Sequence, residues 1–124
     1  MKIVSQLLVL FVAILHIGFL ILEMFLWDQP VGYKVFAMTP EFAAASATLA
    51  MNQGLYNGFL AAGLIVGIVK KDLAFKVFFL SCIIVAGIFG AITAKISILF
   101  IQASPALLAL IFVLLAEKCT KKNA

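Results

Sequence analysis

The sequence predicts an all-α membrane protein: four transmembrane helices in an up-down-up-down bundle, one domain over residues 1–124, with both termini cytoplasmic. Three observations carry this. Of 124 residues, 66% are hydrophobic and 11% charged, with a mean hydropathy of +1.27, whereas a soluble domain averages about 45–50% apolar and about 25% charged. Four apolar segments, at about residues 3–27, 40–69, 73–94 and 97–116, each reach the roughly 20 residues that carry a helix across about 30 Å of hydrocarbon. The lysines are distributed unevenly over the connections, and that sets the orientation.

The first segment follows Lys2, as a signal peptide would, but it is too long for a signal h-region and carries His16 and Glu23. It is expected to remain as a span. None of the four segments alternates in the manner of barrel strands, so each must satisfy its backbone as a helix. The connection Asp28 to Thr39 is the longest loop. Thr39, Pro40 and Glu41 supply an N-cap hydroxyl, a proline for the first turn and an acid near the positive helix end, so the second helix should begin at Pro40. Lys70, Lys71 and Asp72 leave room only for a tight antiparallel turn, and the last two spans join as tightly around Lys95. Pro105 cannot donate to the Ile101 carbonyl and should kink the fourth span.

With the N-terminus inside, Lys2, Lys70, Lys71, Lys76, Lys118, Lys121 and Lys122 are cytoplasmic, while only Lys34 and Lys95 lie outside. This bias fixes the expected topology. Trp27 and Tyr33 then fall near the outer interface, and the expected location is a bacterial plasma membrane, crossed several times.

Composition also excludes functions. Nine basic residues are all lysine, and without arginine the bidentate contacts of nucleic-acid recognition are missing. Cys82 and Cys119 should lie at different depths, so no disulfide is expected, and with a single histidine they make no zinc site. No metal or other cofactor is expected. Gly54, Gly58 and Ala62, then Gly63 and Gly67, and likewise Cys82, Ala86, Gly90 and Ala94, form small-residue stripes that bring helices close. They serve packing within one chain or a homo-oligomer through Gly54, Gly58, Ala86 and Gly90.

Ionisable groups inside a span are costly and usually face the bundle interior. His16 and Glu23, seven residues apart, share one helix face that Trp27 extends to the surface. On the second helix, Asn52 lies over Tyr56 and Gln53 over Asn57. Counting about 1.5 Å per residue places Glu23 level with Asn52 and Gln53, and His16 level with Asn57. Thr93 and Gln102 fall in the same outer layer. The candidate ligand-binding set is therefore His16, Glu23, Trp27, Asn52, Gln53, Tyr56, Asn57, Thr93 and Gln102, all in the outer half.

The stretches HIGFLILEMFLW (16–27), MNQGLYNGFLAAG (51–63), AGIFGAIT (86–93) and ILFIQASPALLAL (98–110) together resemble the small integral membrane proteins of domain of unknown function 1304. The resemblance covers nearly the whole chain and implies the same four-span fold, without an established activity. Its motifs fall on His16, Glu23, Trp27, Asn52, Gln53, Asn57, Thr93, Gln102 and Pro105. Small multidrug transporters share four helices and an acid in the first span, but not the motif around it, so that likeness is one of architecture.

Three function classes remain open from the residues. One is an outward-facing pocket that binds or carries a small amphipathic or cationic molecule, with Glu23 as counter-charge and, in a proton-coupled version, proton and ligand competing for it. Another is a membrane enzyme acting on a lipid- or quinone-like substrate, with His16 and Glu23 as acid and base. The third is a structural protein whose polar layer only holds the helices together.

Overall fold

The computed structural model describes residues 1–122; residues 123 and 124 of the expected domain lie outside them. Five α-helices follow one another: α1 (Lys2–Phe25), α2 (Pro30–Val35), α3 (Pro40–Val69), α4 (Leu73–Thr93) and α5 (Ser104–Lys122), with a π-helical turn, Leu99–Ala103, leading into α5. Four helical stretches, Lys2–Phe25, Pro40–Val69, Leu73–Thr93 and Leu99–Lys122, are long and apolar enough to cross a membrane. They stand antiparallel in a ring whose order is that of the chain, α1 beside α3, α3 beside α4, α4 beside α5 and α5 beside α1. Seven lysines therefore gather at the end that carries the termini and two at the far end.

Local chemistry sets the helix ends. Thr39 Oγ1 accepts the Phe42 amide at 3.2 Å and Pro40 opens α3, as the sequence predicts. Asp72 Oδ1 accepts the Phe75 amide at 3.1 Å and caps α4. Between α3 and α4 the Asp72 amide donates to the Gly67 carbonyl and the Lys71 amide to that of Ile68. This is a Schellman ending, and it holds Lys71 at φ 53°. Ala37, at φ 54°, ends α2 in the same way, with the Met38 amide on Tyr33 and the Ala37 amide on Lys34. The turn is thus as tight as its three residues require, although no glycine marks either left-handed position.

Two features go beyond the sequence expectation. The loop Asp28 to Thr39 contains α2, opened by Gln29 in extended backbone and Pro30 at its first position. It folds back so closely that a β-carbon on Gly32 would meet the Leu26 carbonyl oxygen at 1.9 Å. α5 continues beyond the apolar span to Lys122, because its last turns carry helix-stabilising charges: Glu117 pairs with Lys121 at 3.6 Å, and lysines suit the negative helix end. The disturbance expected at Pro105 takes the form of the π turn just before it. There the Ser104 amide reaches back five residues to the Leu99 carbonyl, one place before the residue that has no N–H to give.

The core is a layer in the half nearer the termini, built from Val9, Val12 and Ala13 of α1, Leu64 of α3, Leu80 and Ile83 of α4, and Ala106, Ala109 and Val113 of α5. Small residues set the helix spacing. Gly54 and Gly58 rest on Leu20, Glu23 and Met24 of α1, while Gly63 meets the Phe79 ring and Gly67 meets Phe75 and Lys76 of α4. Of the glycines considered for a homo-oligomer, Gly54 is buried against α1, while Gly58 beside Leu20 and Gly90 beside Ile98 are half-buried. The stripe expected on α4 is displaced by one position: Leu80, Ile83 and Gly87 are its buried residues, and Gly87 lies against Ala103 of the π turn. Ala62 and Ala86 are exposed.

The contacts at Gly63 and Gly67 bring α3 and α4 together near the termini. Towards the far end they part, and the residues of α3 from Phe42 to Asn57 face those of α4 from Ala86 to Thr93 across a cavity.

Candidate functional site

The cavity has a volume of about 930 Å³ and lies at the end opposite the termini. Phe19, Leu22 and Glu23 of α1, with Trp27 just beyond its end, form the back wall; α3 and α4 form the sides; Phe36 and Met38 cover one edge, and Lys95, Ser97 and the π turn another. Most of this surface is apolar, and the polar groups are concentrated on Glu23, Ser46, Gln53, Asn57, Thr93, Lys95, Ser97 and Gln102.

Glu23 is held by geometry that the ring order dictates. Gly54 lets α3 approach α1 at Glu23 and Met24, and one turn further along, Asn57 Nδ2 donates to Glu23 Oε2 at 2.6 Å. Asn57 is 4% exposed, and this bond uses one of its two amide hydrogens. A β-carbon on Gly54 would lie 3.1 Å from Glu23 Cβ, so the Glu23 backbone is level with Gly54, one residue beyond Gln53, and its side chain reaches about one turn deeper to Asn57. His16, two turns deeper than Glu23 on α1, therefore lies below Asn57 rather than level with it.

His16 is fully buried and does not line the cavity. Its Nδ1 lies 2.9 Å from the Val12 carbonyl oxygen, which can only accept, so Nδ1 carries the proton. Nε2 is then an acceptor, and Gln102 Nε2 donates to it at 3.3 Å. Phe19 meets the ring edge to face, with centroids 5.4 Å apart. His16 is thus bonded to a backbone carbonyl of its own helix and to Gln102, and not to Asn57.

Trp27 ties the mouth together. Its Nε1 donates to Ser46 Oγ at 2.9 Å, Ser46 in turn donates to the Phe42 carbonyl at 2.7 Å, and the indole lies against the Phe36 ring at 4.6 Å. Ser46 was not among the expected site residues; its place one turn above Ala50 and two above Gly54, on the side of α3 that meets α1, was the available signal. Gln53 lines the cavity from the exposed side of α3, and Thr93 lines it while its hydroxyl donates back to the Phe89 carbonyl at 2.8 Å.

The structure does not bring Asn52 and Tyr56 into the cavity. Both are exposed, and with Phe59 and Gly63 they follow steps of four, three and four along one face of α3. Gly63 touches α4, whereas Asn52 and Tyr56 lie further out on that face, where α4 has moved away. Of the nine expected residues, Glu23, Trp27, Gln53, Asn57, Thr93 and Gln102 therefore share one cavity, His16 backs it through Gln102, and two stand outside it.

Among the described residues no three His, Cys, Asp or Glu side chains are grouped to hold a metal ion. The profile of a protein of unknown function, DUF1304, matches residues 10–114. A relative named uncharacterized protein YpaA, from Lactococcus lactis subsp. lactis (strain IL1403), is 33% identical over 115 residues, covering 90% of this chain and 97% of its own length. No solved structure matches the chain. With 105 consecutive residues matched, reaching into all four long helices and including every residue of the cavity's polar wall, the chain belongs to the DUF1304 family.

Proposed function

We propose that the protein is a multi-pass cell-membrane protein that binds or carries a small amphipathic or cationic molecule in the cavity between α1, α3, α4 and the π turn. The observation that carries this reading is Glu23, an acid on a membrane-length helix that lines the cavity wall. It is held by the neutral Asn57 and, among the described residues, has no cation within ion-pair distance. A carboxylate in such surroundings favours an opposite charge or a hydrogen-bond donor. Lys95 reaches the rim of the cavity but makes no ion pair with Glu23. The acid/base reading of His16 and Glu23 loses support, because His16 is fully buried behind the wall.

The lysine asymmetry favours termini in the cytoplasm and a cavity that opens outward. Cysteines placed singly at Lys34 and Lys71 report this: the first is expected to react with an impermeant maleimide on intact cells, the second only after permeabilisation. The reverse pattern would turn the cavity inward.

Trp27, the single tryptophan, stands on the cavity wall and reports occupancy. In nanodiscs, butylamine is expected to change Trp27 emission saturably. Glu23→Gln, which keeps the shape and one carbonyl acceptor, should weaken the response at least tenfold while helical circular dichroism is unchanged. An unaltered response would remove Glu23 from binding.

A further inference from the structure

The polar wall has a definite hydrogen-bond sense. His16 Nε2 takes one amide hydrogen of Gln102, so the nitrogen side of that amide turns to the histidine and its carbonyl oxygen turns away, towards the cavity that Gln102 lines. The Val12 carbonyl fixes this direction through the His16 tautomer. Asn57 gives an amide hydrogen to Glu23, which leaves its carbonyl oxygen as an acceptor. Thr93 spends its hydroxyl hydrogen on Phe89 and Ser46 spends its own on Phe42. Four polar side chains and a carboxylate thus offer acceptors around Glu23, while the second amide hydrogens of Asn57 and Gln102, and Gln53, Lys95 and Ser97 elsewhere on the lining, are the donors.

The walls of the same cavity are open sideways. Leu49 of α3 is 76% exposed and Phe89 of α4 is 67% exposed, yet both line it. They stand at the edges of the gap where α3 and α4 part, and Ala86, between them and the Phe79 contact, adds no bulk to close it. A gap with apolar edges along membrane-length helices faces acyl chains rather than water.

We infer that the cavity takes a single-chain amphiphile with a donor-rich cationic head, a primary amine or guanidine, that enters between α3 and α4. The head is held by Glu23, Asn57 and Gln102, and the chain leaves through the gap past Leu49 and Phe89. This rests on the cavity being a binding site and adds the ligand's class and route. Acceptors on three elements would surround an ammonium, whose three hydrogens need as many partners, whereas a carboxylate head in the same place would meet the like charge of Glu23, with Lys95 only at the rim.

Dodecylamine, dodecanol and dodecanoate share one tail, so differences among them in a Trp27 emission titration in nanodiscs report the head. Dodecylamine is expected to bind at least tenfold more tightly than dodecanol, about 1.4 kcal/mol, and dodecanoate to give no saturable change. Ala86→Phe, or Leu49→Phe on the opposite edge, narrows the gap and should weaken dodecylamine at least tenfold more than butylamine. Equal binding of the three amphiphiles would overturn the cationic head, and equal weakening of dodecylamine and butylamine would overturn the lateral route. In both cases saturable butylamine binding keeps the cavity as a site. No saturable response to butylamine would remove the wider reading as well.

Discussion

His16→Ala is expected to cost the bundle about 3 kcal/mol, the largest loss from any single polar side chain. The ring is fully buried at the point where α1 meets the helix that carries Gln102. Removing a buried side chain of this size leaves a hole that surrounding helices fill only partly, at about 2–5 kcal/mol. Within lipid the hydrogen bond to Gln102 contributes less, since interhelical bonds between polar side chains are worth about 0.6 to 1.7 kcal/mol. The packing term therefore decides the outcome, and His16→Gln, which fills more of the hole, should recover over half the loss. Denaturant titration in mixed micelles, followed by circular dichroism, measures both. A loss below about 1 kcal/mol for the alanine variant would show that the ring is not a packing element, and the fixed direction of the Gln102 amide would lose its basis.

The sequence made the helices legible because each end had local chemistry: Thr39 and Pro40 at one, Asp72 at another, and the alternation of apolar runs with short lysine-bearing turns between. It also marked the residues that collect at the cavity, since a polar side chain in an apolar helix is conspicuous wherever it points. Which way it points was harder to read. Asn52, Gln53, Tyr56 and Asn57 are too closely spaced to select a face without knowing where α1 and α4 pack, and the answer lay with glycines. Gly54 and Gly58 turn one side of α3 to α1, and Gly63 turns another to α4. Gln53 and Asn57 fall between these directions, while Asn52 and Tyr56 follow the α4 direction out to where α4 no longer is. Register was similarly hidden. Counting inward from the outer end of the second span put Glu23 beside Asn52 and Gln53 and His16 beside Asn57; the approach of Gly54 to Glu23 and Met24 sets Glu23 one residue further along and His16 below Asn57. The left-handed Ala37 and Lys71 carried no residue signal, because Schellman hydrogen bonds and tight turns hold conformations there that glycine would take more readily.

The pair Glu23 and Asn57 should be coupled, and the pair Glu23 and Asn52 should not. Asn57→Ala removes the donor that sits 2.6 Å from Glu23 Oε2 and leaves a half-buried carboxylate with one partner fewer, which costs about 1–3 kcal/mol when the group stays without a donor. In a Glu23→Gln background the same substitution breaks only a bond between neutral amides, and Asn57→Ala should then cost roughly 1 kcal/mol less. Asn52 neither lines the cavity nor bonds to Glu23, so the cycle of Asn52→Ala with Glu23→Gln should be additive within about 0.5 kcal/mol. Both cycles use the same denaturant titration and share the Glu23→Gln arm, so any general effect of losing the acid cancels between them. Additivity at Asn57 would mean that the bond contributes nothing to the fold. Coupling at Asn52 in its place would mean that α3 is rotated towards the register the residue spacing first suggested, with Asn52 and Tyr56 facing the cavity. The contrast between two asparagines five residues apart on one helix therefore tests the orientation on which the binding site depends.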